Sequence, residues 1–524
     1  MSRTIFFNTS AAGTLALCAC SVLAATTGCT SQSVKEAQKR VSDSVVIDKN
    51  ERSPFNGGVF QGWGGSFCWW ANRVGYSDTL AEETARLFYS LDDNGLGLNI
   101  IRYNIGGGDN PAHHHITRTD SAVPGYLNED GSYDWTSDAN QRNCLLRAVQ
   151  KAGDSVIVEA FSNSAPWFMT ISGCSSGNVN ASMNNLKDDQ YEAFADYLAT
   201  VSKEYRTRWN ISFQSLSPMN EPNTNYWGAL SPKQEGCHFD PGESQSRMII
   251  ETRRALDRQG LQDILVCGSD ETSTATAATS LKALSAEALS ALGRVDTHSY
   301  NYPQTNGDIS YKDIKEAALQ AEKTLWMSEV DKGGTAGDEA GEMGAALELA
   351  NRIICDMNGL TPAAWCIWDI IDTHLSKDSY NGNQDWGNIN PNGGYWGVAT
   401  ADHDNQTVII RKKFYGWAQF TRYIRPGYQQ LPIKKDNVLA FLQPQEKKLV
   451  VVAVNTKAKE KTVSLDFTTF AKKPTLKQVI RTSGSLQDGE NLATVPADCI
   501  QSGKIFYPTL KENSITTFIF DCGK

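Results

Sequence analysis

Two glutamates stand where they could work as a pair. Glu221 lies in Met219-Asn220-Glu221-Pro222 and Glu329 in Met327-Ser328-Glu329-Val330, each just after an apolar run of the kind that forms a buried strand. Two carboxyl groups at one rim can divide a reaction between them. One is protonated and delivers a proton to a leaving oxygen; the other is ionised and attacks or stabilises an electron-poor carbon. That is the chemistry of glycosidic bond cleavage. Direct attack needs the two groups about 5–5.5 Å apart, and an ionised Glu329 nearby should raise the pKa of Glu221. Taken singly, each glutamate is equally a rim salt bridge or a helix N-cap. Their joint placement favours catalysis.

The elements that must position them follow from hydrophobic patterning. Strand-like runs occupy 60–67, 96–105, 155–164, 213–222, 264–271, 295–300, 324–330 and 363–370. Helix-like stretches lie between them. Leu80, Leu87 and Leu91 share a face after a candidate N-cap at Asp78, with Gly95 as the stop. Tyr191, Phe194, Leu198 and Val201 repeat at helical spacing, as do Met343, Leu347 and Ile354, and a last helix is expected over 411–424. Eight strands alternating with helices predict an α/β fold, a (β/α)8 TIM barrel over 56–427. Glu221 then ends the fourth strand and Glu329 the seventh, at the C-terminal rim where such barrels place their chemistry. Long loops at 106–140 and 371–408 should decorate that rim. Beyond Pro426 the segments are short, β-rich and separated by turns, which predicts a β-sandwich over 428–524. A lone strand in 44–55 is expected to join it.

Composition sets the outer bounds. The chain has 524 residues and a formal net charge of −10, with no basic block, which argues against nucleic acid as a partner. The thirteen Trp offer flat apolar faces for sugar rings, with core packing as the alternative for any one of them. Arg3, the small apolar stretch Ala11–Ala25 and Thr26-Thr27-Gly28-Cys29 predict an export signal over 1–28 of lipoprotein type, with Cys29 as the lipidated first residue. Thr26 stands where Leu is usual, so plain cleavage near Ala24-Ala25 is the other possibility. The protein is therefore expected to be exported, a cell-surface lipoprotein or else secreted, touching a membrane only through Cys29. A polar tether is expected over 29–43. Nine cysteines follow Cys29, an odd and scattered set that predicts buried thiols and no disulfide framework. Gly106-Gly107-Gly108 lacks dinucleotide spacing. The run His113-His114-His115 suggests a solvated loop, with adventitious metal as the alternative.

The Asn-Glu-Pro of the fourth strand with Glu on the seventh resembles the large clan of retaining (β/α)8 glycosidases. FQGWGGSFCWWAN, LGLNIIRYNIGGG, SNSAPWFM, QEGCHFD, GSDET and DTHSY together resemble glycoside hydrolase family 30, and within it the endo-β-1,6-galactanase subfamily. The resemblance covers about residues 56–430; Gly65 departs from it, standing where Thr or Ser is expected. It implies the barrel–sandwich hybrid and retaining hydrolysis of β-1,6-galactan, such as side chains of type II arabinogalactan. Glu221 would be acid/base and Glu329 nucleophile, with no cofactor, in a protein expected to be a monomer. It further implies that Arg102 hydrogen-bonds the nucleophile and that Asn220 reaches the sugar 2-hydroxyl. His298 and Tyr300 would contact Glu329 or the sugar in subsite −1. Trp167 and Trp368 would stack on galactose, and Asn104, Asn163, Trp63 and Glu271 would line subsite −1. Other family 30 activities (β-1,6-glucanase, xylanase, glucosylceramidase-like) share these residues, and a non-catalytic polysaccharide-binding surface protein is the remaining alternative.

Overall fold

The computed structural model describes residues 31–118, 121–332, 342–376, 396–445 and 447–523. The export signal and Cys29 lie outside the described residues, as does 377–395 of the loop expected over 371–408. The described parts of that loop form three short strands, Ile371–Leu375, Ala399–Asp402 and Thr407–Ile410.

A first strand, β1 (Val41–Val46), precedes the barrel. Eight parallel strands then close on themselves in chain order: β2 (Gly62–Ser66), β3 (Ile100–Asn104), β4 (Ile157–Phe161), β5 (Ser215–Ser217), β6 (Leu265–Glu271), β7 (Arg294–His298), β8 (Thr324–Val330) and β9 (Ala364–Ile367). Each overlaps one of the eight runs read from the sequence. Strands covered on both faces are apolar on both faces, so Ile100, Ile101, Leu325, Trp326 and Met327 are all buried. The intervening helices carry the expected stripes, with Phe194, Leu198 and Val201 buried along Tyr191–Arg208. Their ends differ in detail from expectation. The helix Asp78–Tyr89 is capped by Ser77, whose side chain accepts from the Leu80 amide, so Asp78 is its first residue. It stops at Tyr89, which leaves Leu91 exposed and Gly95 a residue of the following turn.

The C-terminal segments form two packed sheets. One has six strands, Gln429–Leu431, Val438–Gln443, Lys448–Asn455, Ser514–Asp521, Thr475–Ser483 and Glu490–Thr494 in spatial order. The other has four: β1, Lys461–Asp466, Ile505–Leu510 and Cys499–Ser502. β1 pairs in parallel with Lys461–Asp466, placing Val45 opposite Leu465, and it starts at Val41 rather than Ser44. The tether expected over 29–43 is corrected as well. Ser31–Arg40 is a helix that buries Ala37, and Gln38 donates to Tyr507 across 3.2 Å. Ala37, with half-buried Val34 one turn before it, seats the helix on the sheet.

The sandwich and the barrel share a core. Phe441, Val450 and Ile515 belong to the same apolar cluster as Phe60, Trp63 and Trp417 of the barrel. Lys412, at the start of the helix Lys412–Thr421, is buried and gives its ammonium to four sandwich oxygens: Ser483 O, Ser485 O, Glu490 O and Asn491 Oδ1. All nine cysteines of the described residues are free thiols. No helix among the described residues is long and apolar enough to cross a membrane.

Candidate active site

Glu221 and Glu329 reach the same cleft, a space of about 270 Å3 at the C-terminal ends of the barrel strands. One carboxylate oxygen of each, with a ring nitrogen of His298, lies within 4.8 Å of the others. Asn220, Tyr300 and Trp368 line the same cleft.

Glu329 ends β8 and is held by two donors. Arg102 Nη1 donates to its Oε2 at 2.9 Å, and the Tyr300 hydroxyl donates to its Oε1 at 3.1 Å. Arg102 is fully buried inside the barrel and shares itself among three carboxylates, giving Nε to Glu159 at 2.9 Å and Nη2 to Asp270 at 2.5 Å. A guanidinium suits this because its planar fork presents several fixed N–H groups and keeps its charge. Glu159 in turn accepts from Ser215 and from Arg294, and Arg294 pairs with Asp296. Two arginines thus pair with four carboxylates inside the barrel.

Glu221 follows β5 in the left-handed region, at φ 47°. That is a costly conformation for a non-glycine residue, and three hydrogen bonds hold it. The Glu221 amide donates to Asp270 O at 2.8 Å, while its carbonyl accepts from Trp227 Nε1 at 3.0 Å and Thr224 Oγ1 at 3.1 Å. Its carboxylate accepts from the Tyr226 hydroxyl and faces His298 Nδ1 at 3.1 Å.

His298 ends β7 with its other nitrogen 3.1 Å from Asp270 Oδ1 and Nδ1 3.6 Å from Glu329. Burial alone would lower its pKa, but the carboxylates of Glu329 and Asp270 and the bonds to Asp270 and Glu221 push it up to about 10. The ring is therefore an imidazolium at neutral pH. It reverses the expected order of the two glutamates. Burial tends to raise Glu221, yet the bond and charge of His298 and the Tyr226 bond bring it below its usual value. Glu329 is the raised carboxyl: burial and the charges of Glu221 and Asp270 outweigh His298 and Arg102.

Three expected site residues stand elsewhere, and two more turn away from sugar altogether. Asn104 and Asn163 are buried and do not line the cleft, though Asn104 Oδ1 and both polar atoms of Asn163 lack a partner among the described residues. Trp167 lies half-buried in the turn after β4, edge-on to Phe168, outside the cleft lining. Trp63 is not a site residue. It is wholly buried among Phe60, Trp365 and Phe420 and donates Nε1 to Ile424 O at 2.8 Å. Glu271 likewise is no sugar ligand. Its oxygens accept from the Asn223 amide, Gln245 and Ser280. The register of β6 against β7 slips between Ser269 and Glu271, so Asp270 is the residue that turns inward to Arg102 and His298.

Several cleft residues escaped the sequence reading. Trp227 and Trp396 line it with Trp368, and Tyr226 and Tyr302 add edges. Trp227 has a seat made by glycine: a Cβ on Gly236 would stand 2.2 Å from its ring, and one on Gly177 2.0 Å from its carbonyl oxygen. Asp331 lines the cleft with Oδ1 on Lys413 at 2.8 Å and Oδ2 unpartnered among the described residues. Asn220 Oδ1 is equally unpartnered. Two buried acceptors on cleft-lining residues, without a partner among the described residues, are suited to hydroxyl donors. Glu235, in QEGCHFD, is wholly buried and accepts from the Gly107 amide at 2.8 Å, tying the Lys233–Gln234 wall to the glycine run. A larger groove of about 750 Å3 lies beside the helix Ser31–Arg40, but Tyr507 is its one aromatic and charged side chains line it.

Comparison with known proteins bears on the whole chain. The family model described as O-Glycosyl hydrolase family 30 matches residues 44–257. An endo-beta-1,6-galactanase of Hypocrea rufa is 30% identical over 487 residues, covering 88% of this chain and 88% of that protein. An exo-beta-1,6-galactobiohydrolase of Bifidobacterium longum subsp. longum is 26% identical over 71% of this chain, but this covers 30% of that longer protein. The solved catalytic domain of a family 30 xylanase C from Talaromyces cellulolyticus shares the fold, with a TM-score of 0.65 at 19% identity over 91% of this chain and 100% of that one. With a relative this similar along nearly its full length, and a barrel and sandwich of the same build, the chain belongs to glycoside hydrolase family 30.

Proposed function

We propose that this protein is an exported retaining hydrolase of β-1,6-linked galactan, such as the side chains of type II arabinogalactan, with Glu329 as nucleophile and Glu221 as acid/base. The observation that carries the reaction is the spacing: carboxylate oxygens of Glu221 and Glu329 come within 4.8 Å of each other in one cleft. That supports direct attack, for which the groups stand about 5–5.5 Å apart, over inversion, which spaces them about 6.5–9.5 Å to admit a water.

In the first step Glu329 attacks the anomeric carbon and the glycosidic bond breaks. The leaving oxygen takes a proton from Glu221. His298 Nδ1 faces Glu221, so the Glu221–His298 pair holds that proton and Glu221 delivers it. Positive charge growing on the sugar favours ionised Glu329, which Arg102 and Tyr300 orient. In the second step Glu221 takes a proton from water, the hydroxide adds to the anomeric carbon, and the bond to Glu329 breaks with net retention.

The substrate reading rests on the 30% identical relative and on the cleft. Trp227, Trp368 and Trp396 offer apolar planes, and galactose, with its axial 4-hydroxyl, has one face suited to them. Asn220 Oδ1 and Asp331 Oδ2, unpartnered among the described residues, can accept hydroxyls. A buried acceptor left unpaired costs about 1–3 kcal/mol, so one such contact predicts a roughly tenfold to hundredfold preference over glucose. Purified protein should release galactose oligomers from β-1,6-galactan, faster once arabinose is removed, and act weakly on β-1,6-glucan, β-1,3-galactan and xylan. Comparable rates on β-1,6-glucan would overturn the substrate and leave the mechanism standing.

A further inference from the structure

The run His113-His114-His115 acquires a partner in the fold. It sits in the loop after β3, and the loop after β4 brings Cys174 to it, so that one ligand atom each from His113, His115 and Cys174 lies within 4.8 Å of the others. His113 Nδ1 is 3.1 Å from His115 Nδ1, and His113 Nε2 is 4.0 Å from Cys174 Sγ. Tetrahedral zinc with bonds of about 2.0–2.3 Å sets its N and S ligands roughly 3.3–3.8 Å apart. These two separations involve different nitrogens of His113, so a single ion requires its ring to turn, and exposed His113 has the freedom to do so. Cys174 is 2% exposed and forms no disulfide, an arrangement that keeps a thiol available as a soft ligand. Asp109 Oδ1 is 2.8 Å from the same His115 Nδ1 that faces His113, so its carboxylate stands beside the ion, and the Asn110 and Ile116 amides fix it there. The other ring nitrogen, Nε2, is steadied by Ser176 Oγ at 2.7 Å, the kind of second contact that orients a metal-bound histidine.

We propose that His113, His115 and Cys174 bind one divalent transition-metal ion of the zinc class, in a site separate from the two glutamates. On binding, the Cys174 thiol gives its proton to solvent and the thiolate and two neutral imidazoles coordinate the ion, with Asp109 in the fourth place. The role is structural. Ser176 Oγ touches His115 Nε2 at 2.7 Å and donates to Gly228 O at 3.0 Å, and the Thr117 and Arg118 amides donate to Pro232 O. The metal therefore clips together three rim loops, one of which carries Tyr226 and Trp227 on the wall of the cleft.

The test uses the full chain, stripped with EDTA and titrated with Zn2+ by calorimetry and with Co2+ by absorption. One equivalent of Zn2+ should bind, raising the melting temperature and releasing protons, and Co2+ should show a thiolate charge-transfer band. C174S and H113A should abolish both signals, D109N should weaken Zn2+ by at least about tenfold, the lower figure for a mere supporting residue, and H114A, outside the cluster, should bind as wild type. Melting of each metal-free variant reports its folding separately. If a variant fails to fold, the Co2+ band of the wild type decides. Absence of that band, or C174S and H113A binding as tightly as wild type, would overturn the site and mark the histidines as an adventitious surface ligand only.

Discussion

Glu221 has a cation on one side and a phenol on the other, and this pair sets how the site should respond to pH. His298 keeps its proton up to about 10, so the proton that Glu221 passes on remains available well into the alkaline range. Glu329 must be ionised to attack, and its pKa is raised. Activity should therefore fall on the acid side at a pH above the ordinary glutamate value of about 4.3, and on the alkaline side as the Glu221–His298 proton is lost. H298N removes the imidazolium. Glu329 then rises further and moves the acid limb up, while the acid proton rests on Glu221 alone and the alkaline limb moves down. The profile of kcat/KM against pH should narrow from both sides; an unchanged width would contradict this assignment of protons. E329Q should lower kcat by at least about a thousandfold, since an amide cannot form the glycosyl-enzyme, while its melting temperature stays near that of the wild type. Retention of a tenth of the activity would contradict the role given to Glu329.

At the scale of elements, the site depends on how strands end. Glu221 and Asp270 both sit in the left-handed region at the ends of neighbouring strands and are tied by one backbone hydrogen bond. This explains what could be read from sequence and what could not. Eight apolar runs, each long enough for a strand, exposed the barrel and placed Glu221 and Glu329 at its rim, while Arg102, His298, Tyr300 and Trp368 are expected from the family resemblance. Periodicity says which face a residue takes only while the period holds. At β6 the register slips, so Asp270 took the inward place expected of Glu271. Trp63 is part of a glycine-rich strand whose aromatic side chain packs outward on the helix Lys412–Thr421. Trp227 and Trp396 lie in loops with no periodicity at all. The seat of Trp227 gives the test at this scale. G236A forces a Cβ against its ring, an overpacking of about 1–3 kcal/mol. Because Trp227 also holds the Glu221 carbonyl, kcat/KM should drop about tenfold or more with a smaller effect on melting. A variant with wild-type kinetics would show that Trp227 does not position Glu221.

For the whole molecule, the sandwich is a part of the barrel's support. Its sheet contributes to the barrel's apolar cluster, and Lys412 closes four sandwich acceptors from the barrel side. K412M keeps much of the stem and removes the donor, leaving those oxygens unmatched. Orphaned buried acceptors cost about 1–3 kcal/mol each, less where water enters, so K412M should lower the stability measured in denaturant by several kcal/mol and unfold both parts together. Two separated transitions, with the barrel unaffected, would contradict a shared core.

The central claim joins a substrate to a stereochemical course, and one measurement reads both. Proton NMR can follow β-1,6-galactan digestion from the first minutes, before the new reducing ends mutarotate. The account predicts that galactose oligomers appear first as the β-anomer, with the α-anomer growing in later at the rate of mutarotation. An α-anomer at the start would mean inversion, and no new reducing ends from β-1,6-galactan would mean a different substrate; either result would contradict it.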